Sequence, residues 1–463
     1  MGRICAHIHP KAAPEAQGVR LQNRFEGIGL YLEKTGKFAR NAKLVLTYSA
    51  FTGLAFGVFR FLFNFYVLSL GESYNEAFIG TLQTAASFAS IAMALPAAYI
   101  AERFSQKKVM IVTGLLSSLA FIGLVLFPFK GFLIAFRMIA GVSMSVRQVA
   151  MAPFLMANTS KDERQWVFSF NFGLMTISSF FGNLLGGLLP TWLGGLAGAA
   201  PTDTLSYQLA LGSMMLVTIL SVGPLALIRM RPRDPERVIE LPWVQLWQHG
   251  SVLVRYLLPQ FIIGLGAGLM MPFMNIYFRN VYQKSDALIA FVFAIGGLSM
   301  AVAQFLGPPL ADKRGKINAV ILTQAFSIPF LLTLGIGALV VSGDLARASL
   351  WFVIASVAYI FRLALMNLSN PIYQTFVLEH VPESTQALAM SLNSLSFQFG
   401  WFVMPQLSGW LQVSLGALGF VPIFFTVAFF YVTAIAVEWA FFRRRKPARA
   451  RAYPGEAVAG NMK

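Results

Sequence analysis

The chain has 463 residues, of which 57% are hydrophobic and 12% charged, with a mean hydropathy of +0.65 and a formal net charge of +17. A soluble protein of this length exposes more charge, because its surface must be solvated. A nucleic-acid binder gathers its basic residues in a folded module, whereas here Lys and Arg lie in tails and in short connections between apolar runs.

The first 42 residues are basic and lack the apolar core of a signal peptide, so the first helix itself is expected to target the chain. Segment 19–40 places Leu21, Phe25, Ile28, Leu30 and Leu32 among basic residues, a pattern suited to a membrane surface. Then follow apolar runs long enough to cross a bilayer as helices of roughly 20 residues. They lack the period-2 alternation of barrel strands, the other structure that satisfies its backbone in lipid. Spans are predicted near 43–70, 77–101, 107–128, 131–157, 165–193 and 207–229, then near 255–278, 286–311, 317–342, 347–378, 385–413 and 418–442. Between the two sets, segment 230–254 is basic and Pro-interrupted, then amphipathic through Leu241, Trp243, Val244, Leu246 and Trp247. The expected organisation is a basic tail (1–42), a six-helix bundle (43–229), a linker (230–254), a second bundle (255–442) and a basic tail (443–463).

Charge sets the topology, because Lys and Arg accumulate on the cytoplasmic side of short loops. Connections on the side of the termini carry Arg103, Lys107, Lys108, Lys161, Arg164, Arg229, Arg231, Arg233, Arg237, Arg255, Lys313, Arg314 and Lys316; the opposite ones carry only Lys130, Arg279, Lys284 and Arg347. Both tails are therefore expected in the cytoplasm, and the span number is even.

The halves repeat each other. NFYV from Asn64 returns as NIYF from Asn275, and AYIAERFSQKK from Ala98 returns as PLADKRGK from Pro309. Phe-Arg pairs occur in the fourth and tenth spans at Arg137 and Arg362, and Asn171 aligns with Asn393 in the fifth and eleventh. Four matches in one order indicate an internal duplication. The fold class is an all-α integral membrane protein with twelve transmembrane helices in two pseudo-symmetric six-helix bundles.

With these motifs the chain resembles the major facilitator superfamily over nearly its whole length. The family's loop signature after the second span is matched in half two by GPPLADKRGK, with Gly307, Asp312, Gly315 and Lys316 in register. In half one Pro96, Glu102, Arg103, Lys107 and Lys108 are usable, while Ser105 and Gln106 replace the turn glycine and its basic neighbour. The resemblance implies a gating latch in which the carboxylate caps a neighbouring helix and the basic residues pair with acids such as Asp162, Glu163 or Glu379; a topogenic basic loop is the plainer alternative. Arg137 and Gly141 match a second family signature, an arginine with glycine four residues on, and join the gating set. A third, the Gly-rich stretch of exporters, is met by GNLLGG at 182–187 with Asn183 in place of proline. Helix packing through small residues explains those glycines equally well.

Arg60, Arg137, Arg147 and Arg362 fall inside spans, where a charge costs roughly 2.5–3.5 kcal/mol on insertion scales and faces a cavity or a partner. The resemblance places spans one, four, seven and ten around a central cavity, and the repeat argument does the same. The candidate substrate-binding set is Arg60, Asn64, Tyr66, Arg147, Asn275, Tyr277, Arg362, Asn367, Asn370 and Gln374, with Tyr359 and Tyr373 near it. Acids are scarce in the spans, and Glu438 reads as a snorkelling surface residue. Arginine forks bind carboxylate or phosphate in bidentate fashion; bracing of helices is the alternative role for each. Pro272 and Pro371 are candidate hinges.

These features predict a secondary active or facilitative transporter that moves a small anionic or amphiphilic organic solute by alternating access, with a lean to export. Alternatives of the same fold are a lipid or lysolipid flippase or scramblase and a multidrug efflux carrier. A membrane enzyme is disfavoured, since His7, His9, His249 and His380 all fall outside the expected spans, and no Gly-Lys-Ser/Thr loop supports ATP-driven transport. The expected partners are a small-molecule substrate and membrane lipids, with no nucleic acid, cofactor or metal, for a monomer in a bacterial-type plasma (inner) membrane. The single Cys5 forms no intramolecular disulfide. Cysteines introduced at Gly71 and Gly343 are expected to react with an impermeant reagent from outside, and one at Ser105 is not; the reverse pattern overturns the topology.

Overall fold

The computed structural model describes residues 38–160, 164–229, 243–381 and 386–443. The tails (1–37 and 444–463) and most of the connection before residue 243 lie outside them. Ten segments are long and apolar enough to cross a membrane. One of them, Leu388–Phe442, holds two helices joined by the 3-10 turn Gly416–Gly419, and the second span is divided into two shorter helices. The twelve spans are Arg40–Ser69, Glu76–Arg103 (broken at Met93), Gln106–Leu126, Lys130–Ala157, Arg164–Leu196, Thr204–Ala226, Trp243–Tyr282 (broken at 271–273), Asp286–Arg314, Lys316–Gly343, Ala348–His380, Gln386–Leu415 and Phe420–Glu438.

Local sequence explains the breaks. Pro96 lacks an N–H and sits in the first turn of Ala94–Arg103, so the second span restarts at Met93. In the seventh span Pro272 lies in the 3-10 turn Met271–Phe273, which interrupts the helix. Pro371, by contrast, lies inside the continuous helix Ala348–His380. The second span opens on a cap: the Asn75 side chain accepts from the Phe78 N–H at 3.1 Å, with Glu76 in the first turn. The seventh span begins at Trp243, so the segment expected as a separate linker helix continues into it. No proline lies between Trp243 and Pro259 to interrupt it.

The two halves touch where the second span runs along the eleventh, where the fifth runs along the eighth, and where the first meets the seventh. Buried apolar residues show how this contact is distributed. Away from the termini, one core unites both halves through residues such as Phe61, Phe65, Tyr66, Phe273, Tyr277 and Phe278. Towards the face that carries the termini and basic connections (the basic face), the core divides. One cluster, with Val45, Met110 and Phe154, belongs to the first half; another, with Tyr256, Tyr373 and Phe376, belongs to the second. The halves are joined at the far face and parted at the basic face.

Small residues set the close approaches. A Cβ on Gly141 would stand 2.2 Å from the Ala86 carbonyl, so the fourth span rests directly on the second. Gly182 packs on Leu54 and Gly57 of the first span, and Gly187 meets Ala287 and Ala290 of the eighth. These contacts account for the glycines of GNLLGG by packing alone. Gly141→Val should therefore push the fourth span outward and destabilise the protein by about 1–3 kcal/mol, the usual cost of overpacking. Thermal unfolding in detergent, compared with Gly131→Val (open space around its Cβ position), checks this.

Candidate functional site

A cavity of about 510 Å³ lies between the halves, within the roughly 300–1,000 Å³ typical of small-molecule sites. It is lined from the first, second, third, fourth, sixth, seventh, eighth and eleventh spans. Arg60, Asn64, Arg137, Gly141, Arg147 and Asn275 of the expected set line it. Among the described residues, no Asp or Glu lines it.

Its far wall is closed by two asparagines that occupy equivalent positions in the repeat. Asn64 donates to the Pro272 carbonyl at 2.7 Å and to Asn275 Oδ1 at 2.9 Å; Asn275 donates to the Phe61 carbonyl at 2.8 Å. Each amide thus reaches the carbonyl three residues before the other asparagine. In the first half a continuous helix presents Phe61. In the second, the turn at Met271–Phe273 brings the Pro272 carbonyl to the other half. These two residues were expected to bind substrate; here their amides clasp the halves.

Beyond the clasp lies a charged cluster. Arg279 pairs with Asp286, with Nε to Oδ1 at 3.0 Å, and the Tyr207 hydroxyl, reaching over from the sixth span, donates to Asp286 at 2.7 Å. The Arg279 guanidinium lies 3.7 Å from the Phe65 ring centroid. Asn280 donates to Glu76 at 3.1 Å. Along the flank, Thr84 donates to the Phe402 carbonyl and Ser90 to Gln398. The cross-half hydrogen bonds among the described residues lie between the far face and the level of Ser90 and Gln398, which leaves the cavity facing the basic side.

The arginines differ in their surroundings. Arg60 is exposed into the cavity and makes no hydrogen bond to a described residue. Arg137 donates to Gln83 Oε1 at 2.8 Å and lies over Phe59 and Phe63, while its Nε is buried without a partner. Arg147 lines the cavity nearer the basic side. Arg362 does not line it: only 2% exposed, it donates to the Tyr431 hydroxyl at 2.6 Å and touches the Met271 sulfur at 3.2 Å, tying the tenth span to the twelfth and seventh.

Other members of the expected set are also turned elsewhere. Tyr66 donates to carbonyls of Leu124 and Val125, and Tyr277 donates to the Leu334 carbonyl and shares a hydrogen bond with Tyr282. Asn367 bonds its own helix at the Leu363 carbonyl and accepts from Asn370; Asn370 and Gln374 are exposed outside the cavity lining. Glu438 is fully buried, not a snorkelling surface residue: Gln324 approaches one oxygen at 3.4 Å and the other has no partner. The lining also contains residues outside the expected set, notably Gln83, Ser87 and Ser90 on the second span and Ser394, Gln398 and Trp401 on the eleventh. Their spacing marks one face of each helix, a polar stripe visible in the sequence itself.

On the basic face, Gly315 turns between the eighth and ninth spans at φ 79°, while Ser105 makes the equivalent turn at φ −57°. The missing glycine of half one is thus explained by a turn that stays out of the left-handed region. Lys316 pairs with Glu379, as anticipated. Lys107 donates to the Ala226 and Ile228 carbonyls at 2.7 Å each, capping the end of the sixth span. Arg103 is exposed, Gly307 packs near the Leu368 carbonyl, and Asp312 is exposed with no bond to a described residue. The Glu102 side chain, with Asp162 and Glu163, lies outside the described residues.

The sequence profile of the Major Facilitator Superfamily matches residues 49–405. The chain belongs to this superfamily. Its fold is shared by solved major facilitators at low identity. A variant of the nucleoside transporter NupG superposes with TM-score 0.70 at 12% identity, covering 87% of this chain and 100% of the other. The D-xylose-proton symporter gives 0.63 at 17%, covering 86% and 97%. A bacterial homologue of the human lysosomal transporter Spinster, inward-facing and occupied, gives 0.64 at 15%, covering 88% and 98%. No curated protein sequence matches the chain.

For this major facilitator the clasp predicts a state-dependent phenotype. Asn275→Ala removes the donor to Phe61 and the acceptor of Asn64. Loss of one partner of a buried hydrogen bond costs roughly 1–3 kcal/mol, so the far-face-closed state should lose about 5- to 150-fold in population. Spin labels at Gly71 and Gln283 should report longer distances in this variant. An unchanged distance distribution would show that the clasp does not hold the gate.

Proposed function

We propose that this major facilitator carries a small organic anion by alternating access, and that the conformation with a sealed far face is the one open to the cytoplasm. The observation that supports the reading best is a cavity between the halves lined by three arginines and no acid. A guanidinium held at mid-membrane depth needs a counter-charge. Arg60 has none within the described residues and is exposed to the cavity, so a mobile anion that enters and leaves supplies it. The fork of Arg60 grips a carboxylate or phosphate edge, with Arg147 on the basic side guiding approach and Arg137, fixed by Gln83 and two phenylalanine rings, adding field.

Both tails lie in the cytoplasm in this reading, in keeping with the distribution of Lys and Arg. With no carboxylate among the described lining residues to carry a coupling proton, transport runs as exchange or facilitated movement of the anion. Asp312 is free while the basic face is open and engages its neighbours when that face closes, completing a latch already prepared by the Lys316–Glu379 pair.

Replacing Arg60 by Gln should weaken binding of a transported anion roughly 10- to 100-fold, following the ~1.5–3 kcal/mol typical of hydrogen bonds to charged groups. Arg60→Lys, which keeps the charge and loses the fork, should fall between. Uptake by proteoliposomes screened with aromatic and aliphatic carboxylates, sulfonates and phosphate esters measures this. If no anion is moved, or both variants and Arg147→Gln retain wild-type affinity, the reading fails.

A further inference from the structure

The two walls of the cavity differ in charge, while both carry aromatic rings, with Phe56, Phe59, Phe63 and Phe121 on the first half. All three lining arginines come from the first half, on the first and fourth spans. The second half contributes Met271, Pro272, Phe293, Phe397 and Trp401, an apolar and largely aromatic wall. Some of the polar groups within that wall are engaged. Asn275 is held in the clasp and the Gln398 side-chain carbonyl accepts from Ser90 at 3.2 Å, which leaves the Gln398 amide N–H, the Ser394 hydroxyl and the buried, unpartnered Trp401 indole N–H as donors.

Alternating access requires both halves to hold the substrate as they close on it. A small hydrophilic anion would have its charge matched on one wall and much of its remaining polar surface pressed against rings on the other. A polyhydroxylated solute needs hydrogen bonds on both walls, and the second half offers no charged group and only the donors of Ser394, Gln398 and Trp401, set among rings. A molecule with one acidic group and an apolar or aromatic body meets both walls on their own terms. The rings of Phe293, Phe397 and Trp401 present flat surface for that body. Met271, with its flexible thioether, adapts to its outline.

Building on the anion-carrier reading, we infer that the substrate is an amphipathic anion whose acidic group sits on the first half and whose apolar body lies against the second. The same chemistry is carried by a free aryl or alkyl carboxylate and by a lipid-derived single-chain amphiphile with an anionic head.

The test uses the full chain in detergent, with binding followed by thermal shift and tryptophan fluorescence. The ligands are 1-naphthoate, oleoyl-lysophosphatidate, succinate and inorganic phosphate. Naphthoate or lysophosphatidate should bind at least tenfold more tightly than succinate or phosphate, and the tighter of the two identifies the source. Phe397→Ser should weaken the amphipathic ligand at least fivefold while leaving succinate within twofold, and Arg60→Gln should weaken both kinds. Trp401→Gln gives a second probe of the same wall if Phe397→Ser does not fold. Succinate or phosphate binding as tightly as naphthoate, or an aromatic-wall variant that weakens all anions equally, overturns the inference while the anion-carrier reading stands. Failure of every anion to bind overturns both.

Discussion

The architecture turns on two asparagines that bind each other's half. Asn64 and Asn275 occupy equivalent positions of a duplicated sequence, and each donates to a carbonyl three residues before the other. A reciprocal clasp of this kind is a natural product of pseudo-symmetry, because any contact made near the axis by one repeat is available to its copy. It demands that backbone carbonyls be presented at the interface. In the first half a straight helix does so at Phe61; in the second, the 3-10 turn at Pro272 does so by departing from the helix. The closed far face, the single core beneath it and the cavity facing the other way follow from where this contact lies.

Burying charge in such a protein requires a local answer for each group, and the answers here are different. Arg279 is matched by Asp286, Tyr207 and the ring of Phe65, which makes it part of the seal. Arg362 is met by the Tyr431 hydroxyl and a methionine sulfur, which makes it a brace among three helices of one half. Arg137 has Gln83 and two aromatic rings. Arg60, by contrast, stands exposed in the cavity at the clasp end, one turn of helix from Asn64. The gate and the positively charged site are thus built on the same stretch of the first span, so an anion at Arg60 lies beside the bonds that must break for the far face to open.

The sequence carried the span number, the duplication and the family with little ambiguity, because hydropathy and basic-residue placement are one-dimensional signals. The cavity was only partly legible. Arg60, Arg137 and Arg147 could be found because a charge in an apolar run is conspicuous. The direction in which a side chain points within a bundle depends on helix rotation, which a lone Tyr66, Tyr277 or Arg362 does not encode. The second and eleventh spans carry no such conspicuous charge, although Gln83, Ser87 and Ser90, and Ser394, Gln398 and Trp401, lie on single helical faces; periodicity across polar residues would have found them. The burial of Glu438 was hidden for the opposite reason: near the end of an apolar span a carboxylate ordinarily reaches water, and only the packing of Gln324 and its neighbours shows that this one does not.

A carrier must visit two states of comparable free energy, since a ligand shifts an equilibrium only by its differential affinity for them. The far face of this protein is held by the asparagine clasp, an ion pair with a tyrosine across the halves, and a cation over Phe65. The basic face, when closed, must therefore gain contacts that offset these. In the proposed latch that task falls to the loop around Asp312 and Lys316 and to its less regular counterpart around Lys107, which are unequal. Gly315 allows a tight turn that Ser105 does not reproduce, and Lys107 is already committed to the end of the sixth span. Duplication thus left the far-face contact symmetric and allowed the basic-face loops to diverge. A reciprocal clasp has one geometry and is spoiled by a change in either partner, whereas a latch of charged loops offers several pairings and can balance the far face in more than one way.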